Sequence, residues 1–235
     1  MTLKPFLVGM LAALGLGAGV LAVGAQTDPY AAGTTGYDIS YPQCGAGAPT
    51  GAFAIVGVNG GRPFSNNSCL AGEYSAAASL YINTGYSGAY RKAITSGCAS
   101  QSKSIVGSSS QKQAWAIGCS EADKSVTYAT GSGASSITMW WLDVETANSW
   151  SSSDLSLNKY TINGAAARLA QTGPPVGVYS NASMWATITG TSSFAHPNIA
   201  ADWDTAGGAC GTGFSGDPVW LVQSTVGGVD SDTAC

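Results

Sequence analysis

The sequence has few charged residues and a single histidine. Lys, Arg, Asp and Glu make up 9% of its 235 residues, and His196 is the one histidine. A Ser-His-Asp triad would have to use His196, but no G-x-S-x-G motif accompanies it, which argues against that class of hydrolase. The cysteines form no C-x-x-C pair, which disfavours a zinc site. No G-x-G-x-x-G or Walker motif follows the first predicted strand, so we expect no nucleotide and, more generally, no cofactor.

The charge balance is mildly acidic. The formal net charge is −4, and this sign argues against nucleic acid or an anionic membrane as a partner. Charge runs, heptads and internal repeats are lacking, so nothing indicates an obligate protein partner. We therefore expect a monomer.

The first 25 residues have the features of a secretory signal peptide. Lys4 supplies a positive charge, residues 7–23 are nearly all apolar, and Val23-Gly24-Ala25 resembles a small-residue cleavage site. Because the apolar run approaches the length that spans a bilayer, an uncleaved membrane anchor is the alternative. The prediction is a signal peptide over 1–25, a single domain over 26–235, and a secreted, extracellular protein.

Six cysteines lie in the predicted mature region. An even number behind a signal peptide predicts three disulfides formed in an oxidising compartment. Fifteen connectivities are possible in principle. We favour sequential pairing because each bond then closes a local loop, which joins Cys44 to Cys69, Cys98 to Cys119 and Cys210 to Cys235.

Predicted strands alternate with predicted helices along the mature chain. The strands cover 36–41, 53–59, 79–84, 137–145, 176–180, 198–203, 219–223 and a short eighth at 229–230, and the helices cover 70–78, 120–129 and 157–171. This alternation indicates an α/β protein with a parallel sheet. Since no nucleotide motif follows the first strand, a closed, TIM-like β/α barrel is favoured, with its chemistry at the carboxyl ends of the strands.

Two carboxylates end the fourth predicted strand. In Trp141-Leu142-Asp143-Val144-Glu145, the residues Trp141, Asp143 and Glu145 share one face because side chains alternate along a strand. Burying two acids side by side is costly unless they are hydrogen-bonded or used. Adjacent acids in a dry site also raise one pKa, which keeps a carboxyl group protonated as a general acid.

Other acids lie on or directly after the first, sixth and last predicted strands. They are Asp38, Asp202, Asp204, Asp230 and Asp232. A lone aspartate at a strand end is more often a turn former or a helix cap than a catalyst. In a closed barrel, however, several of these acids would converge. Carboxylates with nearby aromatic rings suit a sugar site, and the candidate rings are Tyr37, Tyr41, Trp141, Tyr179, Trp203 and Trp220.

Five short motifs, in order, resemble glycoside hydrolase family 25, the lysozyme-type N-acetylmuramidases. They are Gly36-Tyr37-Asp38-Ile39-Ser40, Phe53-Ala54-Ile55-Val56, Leu142-Asp143-Val144-Glu145, Val176-Gly177-Val178-Tyr179-Ser180, and the stretch from Val219-Trp220 to Val229-Asp230. The similarity covers nearly the whole mature chain. It is closest to an actinobacterial-type, cysteine-containing branch of the family.

The resemblance implies a β/α5β3 barrel and a muramidase site. In that site Glu145 would be the general acid, and Asp143 would orient and stabilise the N-acetyl group of the substrate. Asp38 and Asp230 would complete the acidic floor, and Tyr179 would contact the substrate. The implied partner is a carbohydrate, peptidoglycan or another cell-wall glycan, cleaved at the β-1,4 bond between N-acetylmuramic acid and N-acetylglucosamine.

The chain departs from the family pattern next to these motifs. In the family, the residues at these positions shape the subsites that bind the substrate. The candidate substrate contacts at the departures are Asn59, Asn83, Asp202, Trp203 and Trp220. We add Tyr41 and Asp232 as further candidates. Whether Asp230 or Asp232 is the terminal site acid stays open. Two alternatives to a muramidase also stay open, which are a glycan-binding protein without turnover and a hydrolase of another polysaccharide.

Overall fold

The computed structural model describes residues 26–46, 50–191, 193–205 and 207–235. The predicted signal peptide and its cleavage site lie outside the described residues. Within them, eight strands close into a barrel in the order β1 to β8. They are β1 Thr35–Ile39, β2 Ala54–Gly57, β3 Ser79–Asn83, β4 Trp140–Asp143, β5 Val176–Ser180, β6 Ala201–Asp204, β7 Val219–Val226 and β8 Val229–Ala234.

Strands β1 to β7 run parallel, and β8 runs antiparallel to both β7 and β1. Helical segments follow each of the first five strands, whereas β6, β7 and β8 follow one another without a helix in the part of the chain that is described. The predicted α/β barrel is therefore confirmed, with the β/α5β3 arrangement. The antiparallel β8 brings the residues that start it to the same end of the barrel as the carboxyl end of β1.

The helices are α1 Leu70–Glu73, α2 Ser96–Gln101, α3 Ser109–Gly131, α4 Leu155–Ala170 and α5 Ala182–Thr189, with 3-10 turns at Tyr41–Gln43, Gly88–Ala93 and Ser102–Ser104. Side chains cap three of them. Ser108 accepts from the Gln111 amide at the start of α3, Asp154 accepts from Ser156 before α4, and Asn181 accepts from Met184 before α5. Among the described helices, none is long and apolar enough to cross a bilayer.

Several predicted helix bounds were wrong. The predicted helix 70–78 stops at Glu73, because Tyr74 turns to an extended backbone and donates its hydroxyl to Ser136 O. The predicted helix 120–129 lies inside the longer α3. Gly118 interrupts the helical pattern in the sequence, yet in the structure it is where α3 contacts α4 closely. The sequence-based prediction missed α2 and α5, which are only 6 and 8 residues long.

The alternation of side chains along the strands creates two apolar layers. Ile55, Trp141, Trp203 and Leu221 pack together with Tyr30 in one cluster, on the strand faces that point into the barrel. The opposite faces pack against the helices in a larger cluster that includes Val56, Leu80, Trp140, Leu142, Val178, Ile162 and Leu169. The inner layer fills the barrel up to the carboxyl ends of its strands.

All six cysteines are paired. The bonds are Cys44–Cys69, Cys98–Cys119 and Cys210–Cys235, so the predicted sequential connectivity is confirmed. The last bond joins the segment between β6 and β7 to the residue that follows β8. Disulfides of this kind form and persist in oxidising compartments.

Candidate functional site

An acidic cleft opens at the carboxyl end of the barrel strands. Its volume is about 180 Å³, and it is lined by Asp38, Tyr81, Asp143, Glu145, Tyr179, Trp203, Gln223 and Asp230. These residues come from seven strands, all but β2, and from the turn after β4, and they continue the inward-facing positions of the barrel. The cleft therefore lies directly above the apolar layer formed by Trp141 and Trp203.

The acid pair lies on one side of the cleft. Asp143 ends β4 and is 6% exposed, and Glu145 is half-buried two residues later. The amide of Val144 donates to Tyr179 O. Parallel pairing with β5 thus extends past β4 and keeps Glu145 on the same face as Asp143. Asn83, at the end of the neighbouring β3, donates its side-chain amide to Asp143 Oδ2.

The environment of the pair favours the protonated form of each acid. Burial raises the pKa of Asp143 well above its usual range, and the neighbouring Glu145 raises it further. Burial likewise raises the pKa of Glu145. Since two adjacent carboxyl groups resist ionising together, the pair retains a proton at pH values where an isolated carboxyl group is charged. The pair can therefore both donate a proton and carry a negative charge.

Asp38 and Asp230 face each other across the antiparallel pair of β1 and β8. Gln223 Nε2 donates to Asp38 Oδ2 at 2.9 Å, and the Tyr179 hydroxyl donates to Gln223 Oε1 at 2.7 Å. Thr225 donates to Asp230 Oδ1 at 3.0 Å. Burial raises the pKa of Asp38 to about 7, with a further contribution from Asp230. These contacts fix the second pair of acids beside Tyr179.

Asp232 lies beneath the cleft and does not line it. It is fully buried, and its Oδ1 accepts from Trp203 Nε1 at 3.0 Å. Burial and the nearby Asp38 raise the pKa of Asp232 to about 9, so this carboxyl group stays neutral at physiological pH. Of the two terminal acids, Asp230 is therefore the one that reaches the cleft, and Asp232 anchors Trp203 from below.

The other predicted site residues lie away from the cleft surface. Asn59 contacts Glu121 of α3, and Tyr41 is exposed with its ring beside Gly61. Trp220 is buried in the inner apolar cluster. Asp202 is buried, and its Oδ2 accepts from the Ser215 amide at 2.9 Å, so it holds the segment between β6 and β7. Burial raises its pKa to about 7.

The sequence-based prediction missed Tyr81 and Gln223. Alternation along β3 gives the signal for Tyr81, because it lies two residues before Asn83 and must share its inward face. The same rule applies to Gln223, two residues after the inward-facing Leu221. Among the described residues, no group of three or more His, Cys, Asp or Glu side chains is arranged to hold a metal ion.

The cleft also carries aromatic rings. The rings of Tyr179 and Trp203 meet edge to face, with centroids 4.6 Å apart. Rings of this kind stack on the apolar faces of ligands, while the surrounding carboxylates accept hydrogen bonds. The arrangement combines a proton donor, charged oxygens and aromatic surfaces in one opening.

Comparison with known families gives one match. The family model described as lysozyme-like protein 1 matches residues 68–220. The matched range includes Asp143, Glu145 and Tyr179, while Asp38 and Asp230 lie outside it. No curated protein and no solved structure matches the chain. Because the family model covers more than half of the sequence, the chain belongs to the lysozyme-like protein 1 family, which is similar to glycoside hydrolase family 25.

Proposed function

We propose that the protein is a secreted N-acetylmuramidase, which hydrolyses the β-1,4 bond between N-acetylmuramic acid and N-acetylglucosamine in peptidoglycan. One observation carries the proposal. Asp143 and Glu145 line a single cleft with Asp38 and Asp230, at the end of the barrel where such folds place their chemistry. Paired carboxyl groups are the usual machinery of glycoside hydrolysis.

Glu145 is the proposed general acid. It is the less buried member of the pair, so the glycosidic oxygen of a bound sugar can reach its carboxyl group. Burial raises its pKa, which keeps a proton available on the acid side of neutrality. That proton would pass to the leaving oxygen as the glycosidic bond breaks.

Asp143 is the proposed partner of the N-acetyl group. In a substrate-assisted reaction the carbonyl oxygen of that group attacks the anomeric carbon, and positive charge develops on its nitrogen. Asp143 can hold the N–H and stabilise that charge once it has ionised. Its hydrogen bond from Asn83 fixes the carboxyl group in one orientation and favours the ionised form.

Asp38, Asp230 and the aromatic rings complete the proposed sugar site. The two aspartates would accept hydrogen bonds from sugar hydroxyl groups. Tyr179 offers a half-buried ring for stacking, and the buried Trp203 packs against that ring edge to face. Three disulfides support an extracellular location, where peptidoglycan is accessible.

The substitution Glu145→Gln tests the proposal. Oxidised protein comprising residues 26–235 is incubated with purified peptidoglycan, and new reducing ends are identified by mass spectrometry. We expect fragments that end in N-acetylmuramic acid from the wild type. We expect the rate to fall at least about 100-fold in Glu145→Gln, because the amide cannot donate the proton to the leaving oxygen.

The matched control is Asp123→Asn, which removes the same charge from α3 outside the cleft lining, where Asp123 pairs with Arg168 of α4. This variant should keep the wild-type rate. A Glu145→Gln protein with full hydrolysis would refute the assigned role. If the folded wild-type protein binds peptidoglycan but releases no reducing ends from it, the protein is a binding module. If it releases reducing ends only from another polysaccharide, that polysaccharide is its substrate.

A further inference from the structure

Glu121 of α3 is a buried carboxylate outside the barrel wall. It is 1% exposed, and both of its oxygens accept hydrogen bonds. Oε1 accepts from Asn59 Nδ2 at 3.0 Å and from Ser125 Oγ at 3.1 Å, while Oε2 accepts from the Phe64 amide. Glu121 thus connects the helix to the chain that follows β2.

Asn59 links Glu121 to strand β3. Strand β2 ends at Gly57, and beyond it Asn59 Oδ1 accepts from the backbone amide of Asn83 at 2.7 Å. The side chain therefore takes the place of a backbone carbonyl at the end of the sheet. The contacts of its Nδ2 with Glu121 and with Ser65 O, the latter at 2.9 Å, fix which side of the amide faces β3.

Asn83 completes a path to the acid pair. Its backbone is held by Asn59, and its side chain donates to Asp143 Oδ2. A continuous set of hydrogen bonds thus runs from α3, past the ends of β2 and β3, to the carboxyl group at the end of β4. Glu121 itself does not line the cleft.

We propose that Glu121 is a positioning residue of the acid pair, which orients Asn59 and thereby holds the Asn83 amide on Asp143. Its meaning for turnover rests on the muramidase function proposed above. The orientation of Asn59 and Asn83 is a property of the unliganded protein. The positioning role of Glu121 and the muramidase function can therefore be tested separately.

The geometry explains why an ionised carboxyl group suits position 121. Burial raises the pKa of Glu121 to about 7, but its hydrogen bonds from Phe64, Ser125 and Asn59 all favour the ionised form, which is the one that can accept from every donor. Two N–H groups, from Asn59 and Phe64, point at two different oxygens of Glu121. A glutamine of the same size has one oxygen, so its NH₂ group would face one of these donors. The Phe64 donor is a backbone amide, whereas the Ser125 hydroxyl on the other side can turn to accept from an NH₂ group, so the glutamine oxygen faces Phe64 and its NH₂ group faces Asn59. Asn59 then loses this acceptor with little change in volume at position 121, and it can turn away from Asn83.

The test compares wild type, Glu121→Gln and the same-helix control Asp123→Asn, all with disulfides formed. The first readout is the pH titration of Asp143, monitored by NMR of the carboxyl carbons. The Asp143 signal is assigned by its absence in Asp143→Asn. Losing the Asn83 donor should raise the pKa of Asp143 in Glu121→Gln alone. The titratable groups that face Asp143 are the same in both variants, namely Asp38, Tyr81, Glu145, Tyr179 and Asp230.

The second readout is turnover of peptidoglycan. We expect kcat to fall about tenfold in Glu121→Gln and KM to change by less than about twofold. The reason is that displacing the Asp143 carboxyl group slows the chemical step more than it weakens substrate binding. Asp123→Asn should match wild type in both constants. A purely structural role would lower the unfolding midpoint without altering the Asp143 titration.

An unchanged Asp143 titration in folded Glu121→Gln would overturn the proposal. If wild type releases no reducing ends, the muramidase function fails, and the titration still decides the role of Glu121. If Glu121→Gln does not fold, Asn59→Ser gives the same test. It removes the amide that joins Glu121 to Asn83, and the same shift is expected.

Discussion

At the scale of single residues, the proposed chemistry depends on where one proton resides. Burial raises the pKa values of both Asp143 and Glu145. The charge of Glu145 raises the pKa of Asp143 further, whereas the hydrogen bond with Asp143 lowers the pKa of Glu145. The two groups titrate as a pair with shared apparent pKa values. In the proposed reaction, the competent form of the pair carries one charge and one proton, and that proton is on Glu145 when substrate is bound.

This shared proton predicts a bell-shaped dependence of kcat/KM on pH. Activity should fall as pH rises, when the pair loses its last proton, and also at low pH, when both groups are protonated. Because burial raises both pKa values, the alkaline limb should lie above the ordinary carboxyl range. The measurement is kcat/KM on peptidoglycan between about pH 3 and about pH 9.

Asp143→Asn provides the control for that profile. It leaves Glu145 as the single titrating member, so the acid limb should disappear in whatever activity the variant keeps. Activity that rises steadily above neutrality in the wild type would contradict a protonated Glu145.

At the scale of elements, helices α3 and α4 contact each other through glycines. A Cβ atom at Gly118 would lie 1.9 Å from Thr161 O, and one at Gly164 would lie 2.0 Å from Trp115 O. The two backbones therefore approach more closely than any side chain allows.

Gly118→Ala should destabilise the protein, because the added methyl group forces the helices apart. We expect a loss of about 1–3 kcal/mol in the free energy of unfolding, measured by chemical denaturation. Gly131→Ala is the control on the same helix, since nothing lies within 4 Å of its Cβ position. It should be neutral or stabilising by up to about 1 kcal/mol. Equal effects of the two variants would show that helix propensity matters and the close contact does not.

At the scale of the whole molecule, the barrel buries several acids that favour the protonated form. Burial raises the pKa values of Asp38, Glu121 and Asp202 to about 7 and that of Asp232 to about 9. In the unfolded chain these groups ionise near 3.8 for aspartate and 4.5 for glutamate. At pH values between the unfolded and the folded pKa of each group, the folded state therefore binds more protons than the unfolded state.

This difference predicts that stability falls as pH rises. The stabilisation is fully present below the unfolded pKa values, and it is lost progressively as pH rises through about 7 and then about 9. The unfolding temperature, measured by calorimetry without substrate, should therefore be higher near pH 5 than near pH 8. An unfolding temperature that increases over this range would show that the buried acids are ionised in the folded protein. Asp232→Asn should flatten the upper part of the dependence.

The sequence by itself determined the alternation of strands and helices, from which a closed barrel was predicted, and the joint placement of Asp143 and Glu145. It favoured the sequential disulfide pairing, which the structure then confirmed among fifteen possibilities. Each of these follows from local alternation or from chain connectivity. The bounds of α3 and the existence of α2 and α5 were not predictable, because short or glycine-containing helices are stabilised by their packing partners.

Only the tertiary structure decided which candidate residues share the cleft. Closing the barrel pairs β1 with β8, which puts Asp230 opposite Asp38 and buries Asp232 below them. It also turns Asp202 away, to the segment between β6 and β7, and it brings Gln223 to Asp38 across 185 positions of sequence. The sequence could not decide this because the role of a carboxyl group depends on its burial and its hydrogen-bond partners. Those partners lie on strands far apart in the sequence, and they meet only in the folded barrel.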